Sequence, residues 1–199
     1  MSVQVLPLSA PPRKPRGRVE ILHDVPPDVA EEFLTIYRDA FEPLKAKSPA
    51  RQWLTDDEFR HEMSDPSVLK FVARSQDDEI VAMALMSTNL DTVPWISQPY
   101  FAAKYPEHYA DGNIFYFGSM LVRPERQGGP WAKYLLDHIF HFFGERRGVG
   151  CFDCCSFNVE TVALPDLIVR ASHSMIEMEL EILDQQTYYG GICSGFKRA

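Results

Sequence analysis

A strand, a glycine-rich turn and a helix follow one another between Asn113 and Phe143, and this stretch constrains the fold more than any other part of the chain. The run from Ile114 to Val122 is almost entirely apolar, which predicts a central strand covered on both faces. Pro124 ends that strand, because proline cannot donate to a ladder of hydrogen bonds. Apolar residues then recur at helical spacing, which predicts a helix with one buried stripe at Leu135, Leu136, Ile139, Phe140 and Phe143.

The turn between this strand and helix, Gln127 to Ala132, holds two glycines and a proline. Where a chain enters a helix, its first backbone N–H groups lack acceptors, and the helix dipole adds partial positive charge. Such a place binds phosphate. Pro130 offers no N–H, but proline suits the first helical position, and its neighbours keep their donors. The turn therefore predicts a phosphate site flanked by Arg123, Arg126 and Lys133, and an ordinary helix start with a glycine cap is the alternative interpretation.

The same stretch resembles the coenzyme A motif of the GNAT superfamily of acyl-CoA-dependent N-acetyltransferases, V-x-P-x-x-(R/Q)-x-x-G-x-(G/A). Its places are filled in order by Val122, Pro124, Gln127 and Ala132, and the third glycine of the family's turn is replaced by Pro130. The element order of residues 18 to 189 is also similar to that of the family. The resemblance implies acetyl-CoA as co-substrate and the following cofactor-binding residues: Met120, Leu121, Val122, Gln127, Gly128, Gly129, Pro130, Trp131, Ala132 and Asn158.

The resemblance implies that these residues contact different parts of coenzyme A. The strand residues Met120 to Val122 lie along the pantetheine arm, and the turn residues hold the pyrophosphate. Asn158 contacts the pantetheine, although an asparagine at this place also suits a helix N-cap.

The implied fold is the GNAT-type α/β (α+β) fold, a mixed and mostly antiparallel central sheet of about six to seven strands flanked by about four helices. Residues 1–17, rich in proline and basic side chains, are expected to form a flexible leader, and residues 18–199 a single domain. Apolar alternation predicts strands at Arg18–Leu22, Val68–Arg74, Glu79–Ser87, Val149–Phe157, Met175–Ile182 and Thr187–Ile192. Helices are predicted at Pro27–Ala40, after the capping-box pattern that begins at Thr55, and over Val159–Ala171 apart from Pro165.

An irregular stretch over residues 88–112 is rich in aromatic side chains. Loops this long within a compact domain tend to be functional. We expect Trp95, Tyr100 and Tyr105, together with Tyr116 of the central strand, to line a pocket for the amine acceptor. The alternative is an aromatic cluster that covers the sheet or contacts a second subunit, and a homodimer through this insert or through edge strands is possible.

Acetyl transfer to an amine needs a polarised thioester carbonyl, a proton acceptor and a donor for the leaving thiolate. The candidates in this sequence are Tyr116, Ser119 and His173. In the GNAT family a tyrosine on the helix after Asn158 usually protonates the thiolate, but the count along that helix reaches Pro165 here. Residues of the link between the first two helices, Glu42, Arg51 and Gln52, are possible substrate contacts.

Composition excludes several other classes of protein. A formal charge of -8 and a pI near 5.2 argue against a nucleic-acid partner, which requires clustered positive charge. The longest apolar runs fall short of a membrane span, and no signal-peptide core is apparent at the N-terminus, so we expect a cytoplasmic protein without a membrane partner. Cys151, Cys154 and Cys155 are interpreted as strand residues of the core, because a zinc site requires a second ligand pair, and no metal is expected.

The leading hypothesis is therefore an N-acetyltransferase that transfers an acetyl group from acetyl-CoA to a primary amine by direct attack in a ternary complex. The acceptor is a small-molecule or peptide amine that the sequence does not identify. The alternatives are a non-catalytic acyl-CoA-binding module with the same fold and a cysteine-dependent metal protein. An acyl chain longer than acetyl is also possible, since Phe115, Phe117 and Trp131 could line an apolar groove.

Overall fold

The computed structural model describes residues 15–193, so most of the expected leader and the last six residues lie outside the described part of the chain. One sheet of five strands runs in the order β1 to β5 along its width. The strands are β1 Gly17–Leu22, β2 Val68–Ser75, β3 Ile80–Ser87, β4 Ile114–Val122 and β5 Val149–Phe152. The first four strands are antiparallel to their neighbours, and β5 is parallel to β4. The mixed, mostly antiparallel α/β fold is confirmed.

Six α-helices flank the sheet, and their bounds are α1 Pro27–Phe41, α2 Asp56–Ser64, α3 Gln98–Lys104, α4 Pro106–Ala110, α5 Trp131–Arg146 and α6 Leu164–Ser172. The capping box that predicted α2 is present. The Thr55 hydroxyl accepts from the backbone N–H of Glu58, and the Glu58 carboxylate accepts from the backbone N–H of Thr55. Two donors that the helix leaves unpaired are thereby satisfied.

The core lies on both faces of β2, β3 and β4. On one face α1 and α2 bury Phe33 and Phe59 completely against the sheet. On the other face α5 packs Leu135 onto Phe71 and its neighbours. Fully burying a large apolar side chain contributes about 1.5–3 kcal/mol, so these two layers stabilise β2, β3 and β4. Every residue of β3 is buried, which explains the near-continuous apolar pattern of that strand.

The insert is more regular than the sequence indicated, because residues 98–110 form the short helices α3 and α4. The aromatic side chains of Phe101 and Tyr105 pack with Ile114, Tyr116 and Cys151. The insert therefore covers the end of the sheet beside β4 and β5.

Predictions for the C-terminal third were partly wrong. The predicted strands Met175–Ile182 and Thr187–Ile192 have no ladder partner in the described residues, so the sheet has five strands and not six to seven. Alternation of apolar and acidic residues indicates which side chains are exposed to solvent. It does not indicate whether a neighbouring strand is present to pair with the backbone. The strand at Val149 ends at Phe152, and a π-helical turn at Phe157–Thr161 precedes α6.

A search for helices that could cross a membrane found none among residues 15–193.

Candidate functional site

The site begins where β4 and β5 diverge. β5 pairs with β4 from Ile114 to Phe117 only. The residues Ser119 to Val122 of β4 are paired with β3 on one side and, among the described residues, have no strand on the other. The register with β3 shifts at Gly118, which has no partner there and forms a bulge. Bulges bend a strand and leave backbone groups unpaired. A free strand edge therefore faces the gap between β4 and β5.

A cavity of about 1390 Å³ occupies this gap and reaches both faces of the sheet. The bulge at Gly118 determines which side chains of β4 face the α5 side of the cavity and which face the α1 side. On the α5 face the lining is apolar and includes Phe117, Met120, Leu136, Phe140 and Phe143. On the face covered by α1 and the insert, the lining carries polar groups and includes Gln52, Trp95, Tyr105, Ser119 and Asp153. Two different molecules can thus approach the same strand edge from opposite faces.

The turn after β4 lies at the N-terminus of helix α5. The backbone N–H groups of Gly128, Gly129, Trp131 and Ala132 lie at the start of α5, where a helix leaves its first donors without acceptors one turn earlier. Gly128 has a φ of 73°, in the left-handed region that favours glycine. These donors lie directly after Gln127, which lines the cavity and donates from its Nε2 to the Val122 carbonyl at 3.2 Å.

Trp131 and Pro130 are the two bulky residues of the turn. The Trp131 ring is buried in the core on the α5 face, 6.1 Å from the ring of Tyr134. Pro130 is the N-cap of α5 and accepts from the backbone N–H of Tyr134 through its carbonyl. The turn therefore has one N–H donor fewer than a glycine at position 130 would provide.

The basic side chains around the turn are paired with acids. Arg126 lies 3.0 Å from Glu79, and Lys133 lies 2.6 Å from Asp137. Arg123 donates from Nε to the Ile80 carbonyl. Exposed ion pairs contribute little to stability, so an arriving anion can recruit Arg126 or Lys133 at small cost.

A chain of three side chains lies on the polar side of the cavity. Trp95 donates from Nε1 to the Tyr116 hydroxyl at 3.1 Å, and that hydroxyl donates to Oδ1 of Asp153. Burial, together with the hydrogen bond to Asp153, raises the pKa of Tyr116 well above its usual range. Tyr116 therefore keeps its proton at neutral pH, and the Asp153 side chain is the hydrogen-bond acceptor at the end of this chain.

Asp153 was missed by the sequence reasoning. It follows directly after β5, the strand that the free edge of β4 faces, and a carboxylate at a strand end beside a predicted cavity was the available signal.

Ser119 lies on the free edge of β4 and lines the cavity. Its hydroxyl oxygen is buried and has no hydrogen-bond partner among residues 15–193. A buried hydroxyl without a partner carries an energetic cost, and a ligand atom at this edge would remove it.

Two contacts bridge the polar side of the cavity. The backbone N–H of Cys155 donates to Oε1 of Gln52 at 3.2 Å, and the Lys47 ammonium lies 4.2 Å from the centroid of the Phe157 ring. The link between α1 and α2 is thereby connected to the segment after β5, and Asn158 lines the cavity beside it. Gln52 and Arg51, predicted as possible substrate contacts, both line the cavity, although Arg51 is paired with Glu58.

The structure places the remaining predicted residues as follows. Tyr105 lines the cavity and donates from its hydroxyl to Glu181 at 2.8 Å. Tyr100 packs its ring against Phe101 outside the cavity lining. His173 is the exposed C-cap residue of α6 and is also outside the lining.

The described residues contain no group of three or more His, Cys, Asp or Glu side chains that could hold a metal ion. Cys151 is buried in the core, and burial raises the pKa of its thiol to about 12. A thiol held in its neutral form is a poor nucleophile and a poor metal ligand.

Several solved structures are similar to this chain over most of its length. An aminoglycoside acetyltransferase from an uncultured soil metagenomic sample, in complex with trehalose, has a TM-score of 0.50 at 14% identity, covering 86% of this chain and 97% of that chain. The ribosomal-protein-alanine N-acetyltransferase of Brucella melitensis biovar Abortus 2308 has a TM-score of 0.49 at 15% identity, covering 87% and 99%. The sequence matches no protein-family model and no curated protein. At this identity, the likeness to the first of these structures shows a shared fold.

Proposed function

We propose, from the premise that this chain has the GNAT fold, that it is an N-acetyltransferase that uses acetyl-CoA to acetylate a primary amine. One observation carries the proposal. The edge of β4 from Gly118 to Val122 has no strand on its β5 side among the described residues, lines a cavity, and leads into the turn at the N-terminus of α5. A strand edge suits an amide-containing arm, and the turn suits its phosphate end.

The residues present fit coenzyme A in three respects. The edge of β4 offers backbone donors and acceptors to the two amides of a pantetheine arm. Met120 and Phe140 supply an apolar wall beside that edge. The turn at Gly128 and Gly129 allows close approach of a pyrophosphate, and the dipole of the 16-residue helix α5 favours its charge.

The bound thioester would supply the acyl group, and the chain's own residues would position it. Gly118 has no ladder partner on β3, so its backbone N–H is the proposed donor to the thioester carbonyl oxygen. The unpartnered hydroxyl of Ser119 is the second donor on the same edge. Preorganised donors of this kind lower the barrier to acyl transfer more than any other single factor.

Asp153 is the proton acceptor in this proposal, and Tyr116 with Trp95 is its positioning pair. The amine attacks the thioester carbon from the polar half of the cavity, the C–N bond forms and the C–S bond breaks. The nitrogen becomes acidic as it bonds to the carbonyl carbon, and its proton passes to the Asp153 carboxylate. The departing thiolate takes a proton from solvent, so the products are the amide and the free thiol of coenzyme A.

Direct attack in a ternary complex fits the cavity better than a covalent enzyme intermediate. Donor and acceptor can meet at Gly118 from opposite faces of the sheet. The buried thiol of Cys151, the cysteine that lines the cavity, is kept neutral and packs in the core. Nothing in this geometry favours a relay through that cysteine.

The acceptor half of the cavity combines aromatic rings with carboxylate groups. Trp95 and Tyr105 form one wall, and Glu181 accepts from the Lys104 ammonium at 3.1 Å beside them. This wall fits a small-molecule or peptide amine with an apolar part next to the amino group. A second copy of the chain is not required to complete it.

A non-catalytic acyl-CoA-binding module is the second candidate, and one observation favours it. Position 165, where the family resemblance would put the tyrosine that protonates the thiolate, is a proline at the start of α6. Under this reading, coenzyme A binds and no thiol is released.

The test is release of free coenzyme A thiol from acetyl-CoA in the presence of a panel of amines, run alongside calorimetry with acetyl-CoA. The enzyme proposal predicts binding and amine-dependent thiol release that falls in Asp153→Asn. Binding without release from any amine would favour the non-catalytic module, and absence of binding would contradict both.

A further inference from the structure

An apolar channel leaves the proposed reaction centre on the α5 face. The pantetheine arm approaches from the Val122 end of β4, so the acyl group points past Gly118 in the opposite direction. The cavity continues there over the short strand β5 and beneath α6. Its lining at this end is apolar and includes Phe117, Phe143, Gly150, Phe152, Ile168 and Ile176.

The helix α6 places its apolar side over this channel instead of over a closed core. Leu164 and Ile168 both line the cavity and are only half-buried, whereas Leu135 of α5 is completely buried. A helix with one apolar side normally buries that side against protein. Part of the apolar side of α6 instead faces the open channel, which continues from the place where the acyl group would lie.

One glycine allows an aromatic ring to form the floor of the channel. Gly150 of β5 lines the cavity, and a Cβ at this position would come within 2.9 Å of the Phe143 ring. The ring therefore lies against the strand backbone, with Phe117 5.5 Å from it, centroid to centroid. The two rings, tilted by 34° to one another, form an aromatic floor in the cavity that Ile168 also lines.

We propose that the acyl donor of this protein is a medium-chain acyl-CoA, with the hydrocarbon tail lying between Phe143 and Ile168. The inference rests on the proposed function and extends it from acetyl to a longer acyl group. An acetyl group would end at Gly118 and leave the channel beneath α6 empty of apolar contacts. The transfer step is unchanged by chain length: the thioester C–S bond breaks, the amide C–N bond forms, and the amine proton goes to Asp153.

The expected preference can be stated from the burial of methylene groups. Each buried methylene strengthens binding by roughly twofold to fourfold. Hexanoyl-CoA carries four more methylenes than acetyl-CoA, so it should bind at least about tenfold more tightly, even if the outer part of the channel stays hydrated.

Calorimetric titration with CoA, acetyl-CoA and hexanoyl-CoA tests this without knowledge of the amine. The unaltered chain and two variants of α6 are compared. Ile168→Trp fills the channel, whereas Leu167→Trp adds the same ring at the neighbouring position, which is 43% exposed and lies outside the cavity lining. Melting curves of both variants establish that each is folded.

The expected result is tighter binding of hexanoyl-CoA than of acetyl-CoA, lost in Ile168→Trp and kept in Leu167→Trp. Equal or weaker binding of hexanoyl-CoA, with normal binding of acetyl-CoA, would overturn this inference and leave the proposed function standing. If both variants lose the preference equally, the channel assignment is wrong. Absence of binding by all three ligands would remove the proposed function itself.

Discussion

The two ends of the sheet are built differently. Strands β1 to β4 form ladders of six or more residue pairs with their neighbours, and the core lies on both faces of β2, β3 and β4. The end beyond β4 has a strand of four residues, a π-helical turn and a C-terminal segment without ladder partners among the described residues. The first end supplies stability, and the second leaves the strand edge and cavity that a ligand needs.

This contrast is consistent with the general observation that binding regions are drawn from the less stable part of a fold. The cavity lies where β5 ends and where residues 175–183 run past it, held by a few side-chain contacts. Glu181 accepts from Tyr105 and Lys104, and Leu183 packs against the insert cluster. The cavity is thus bordered by a segment that was predicted as a strand and that has no ladder partner among the described residues.

The largest expected effect is on stability at the first end of the sheet. Phe71 of β2 is completely buried and packs edge-on against Phe142 at 5.7 Å. Phe71→Ala should lower the free energy of unfolding by about 3–5 kcal/mol, since a buried ring leaves a cavity that the core cannot close. Denaturant melts measure this loss in the free energy of unfolding. Met178→Ala is the control, because this side chain lies in the C-terminal segment and faces open space. Its loss should be well under half that of Phe71→Ala. Equal losses would show that the two ends are equally packed.

The next effect is on activity at the second end. Asp153→Asn should reduce kcat of amine acetylation by about 10²-fold or more, because the proton acceptor is lost. The melting temperature and the affinity for acetyl-CoA should change little, since Asp153 is exposed to the cavity. Tyr116→Phe keeps the ring and removes only the hydroxyl, so its loss of kcat should be smaller. A variant at Asp153 that retains full kcat would exclude it as the acceptor.

The third effect is a pH dependence at the α2 side of the stable end. Burial raises the pKa of Glu62 to about 7, although the charge of Lys70 opposes this shift. A raised pKa stabilises the fold only while the group is protonated, so this contribution is complete below about pH 4.5 and is lost as pH rises through 7. Glu62→Gln should therefore gain about 1–2 kcal/mol over the unaltered chain at pH 8 and nothing at pH 4.5.

Glu58 on the same helix is the matched control for that titration. Its hydrogen bonds with Arg51 and with Thr55 lower its pKa to about 2. Its stabilisation is present above the unfolded pKa and is lost as pH falls toward 2, so Glu58→Gln should destabilise at pH 8. Thermal melts at the two pH values compare both variants, and the same sign for both at pH 8 would contradict the assignment.

The fold of the first end could be predicted from the sequence because several signals agreed there. The strand Ile114–Val122 was predicted with its observed bounds, and the capping box at Thr55 placed the start of α2. Apolar runs and capping residues are local signals, and they decide the structure where a dense core enforces them.

The second end could be predicted less well, for physical reasons. The alternation over Met175–Ile182 is typical of a strand, but a strand also needs a neighbouring backbone, which no local pattern reports. Asp153, the proposed proton acceptor, was missed because it becomes significant only when β5 brings it to the hydroxyl of Tyr116, 37 residues away in sequence. Trp95 was predicted at the pocket from composition, whereas its hydrogen bond to Tyr116 required the fold.

Hydrogen–deuterium exchange with and without acetyl-CoA tests the central claim most directly, because that claim concerns particular backbone N–H groups. The account predicts slower exchange on ligand addition in peptides covering Gly118–Val122 and Gln127–Lys133, with little change in β1 and β2. Unchanged exchange in both of these peptides at a saturating ligand concentration would contradict it.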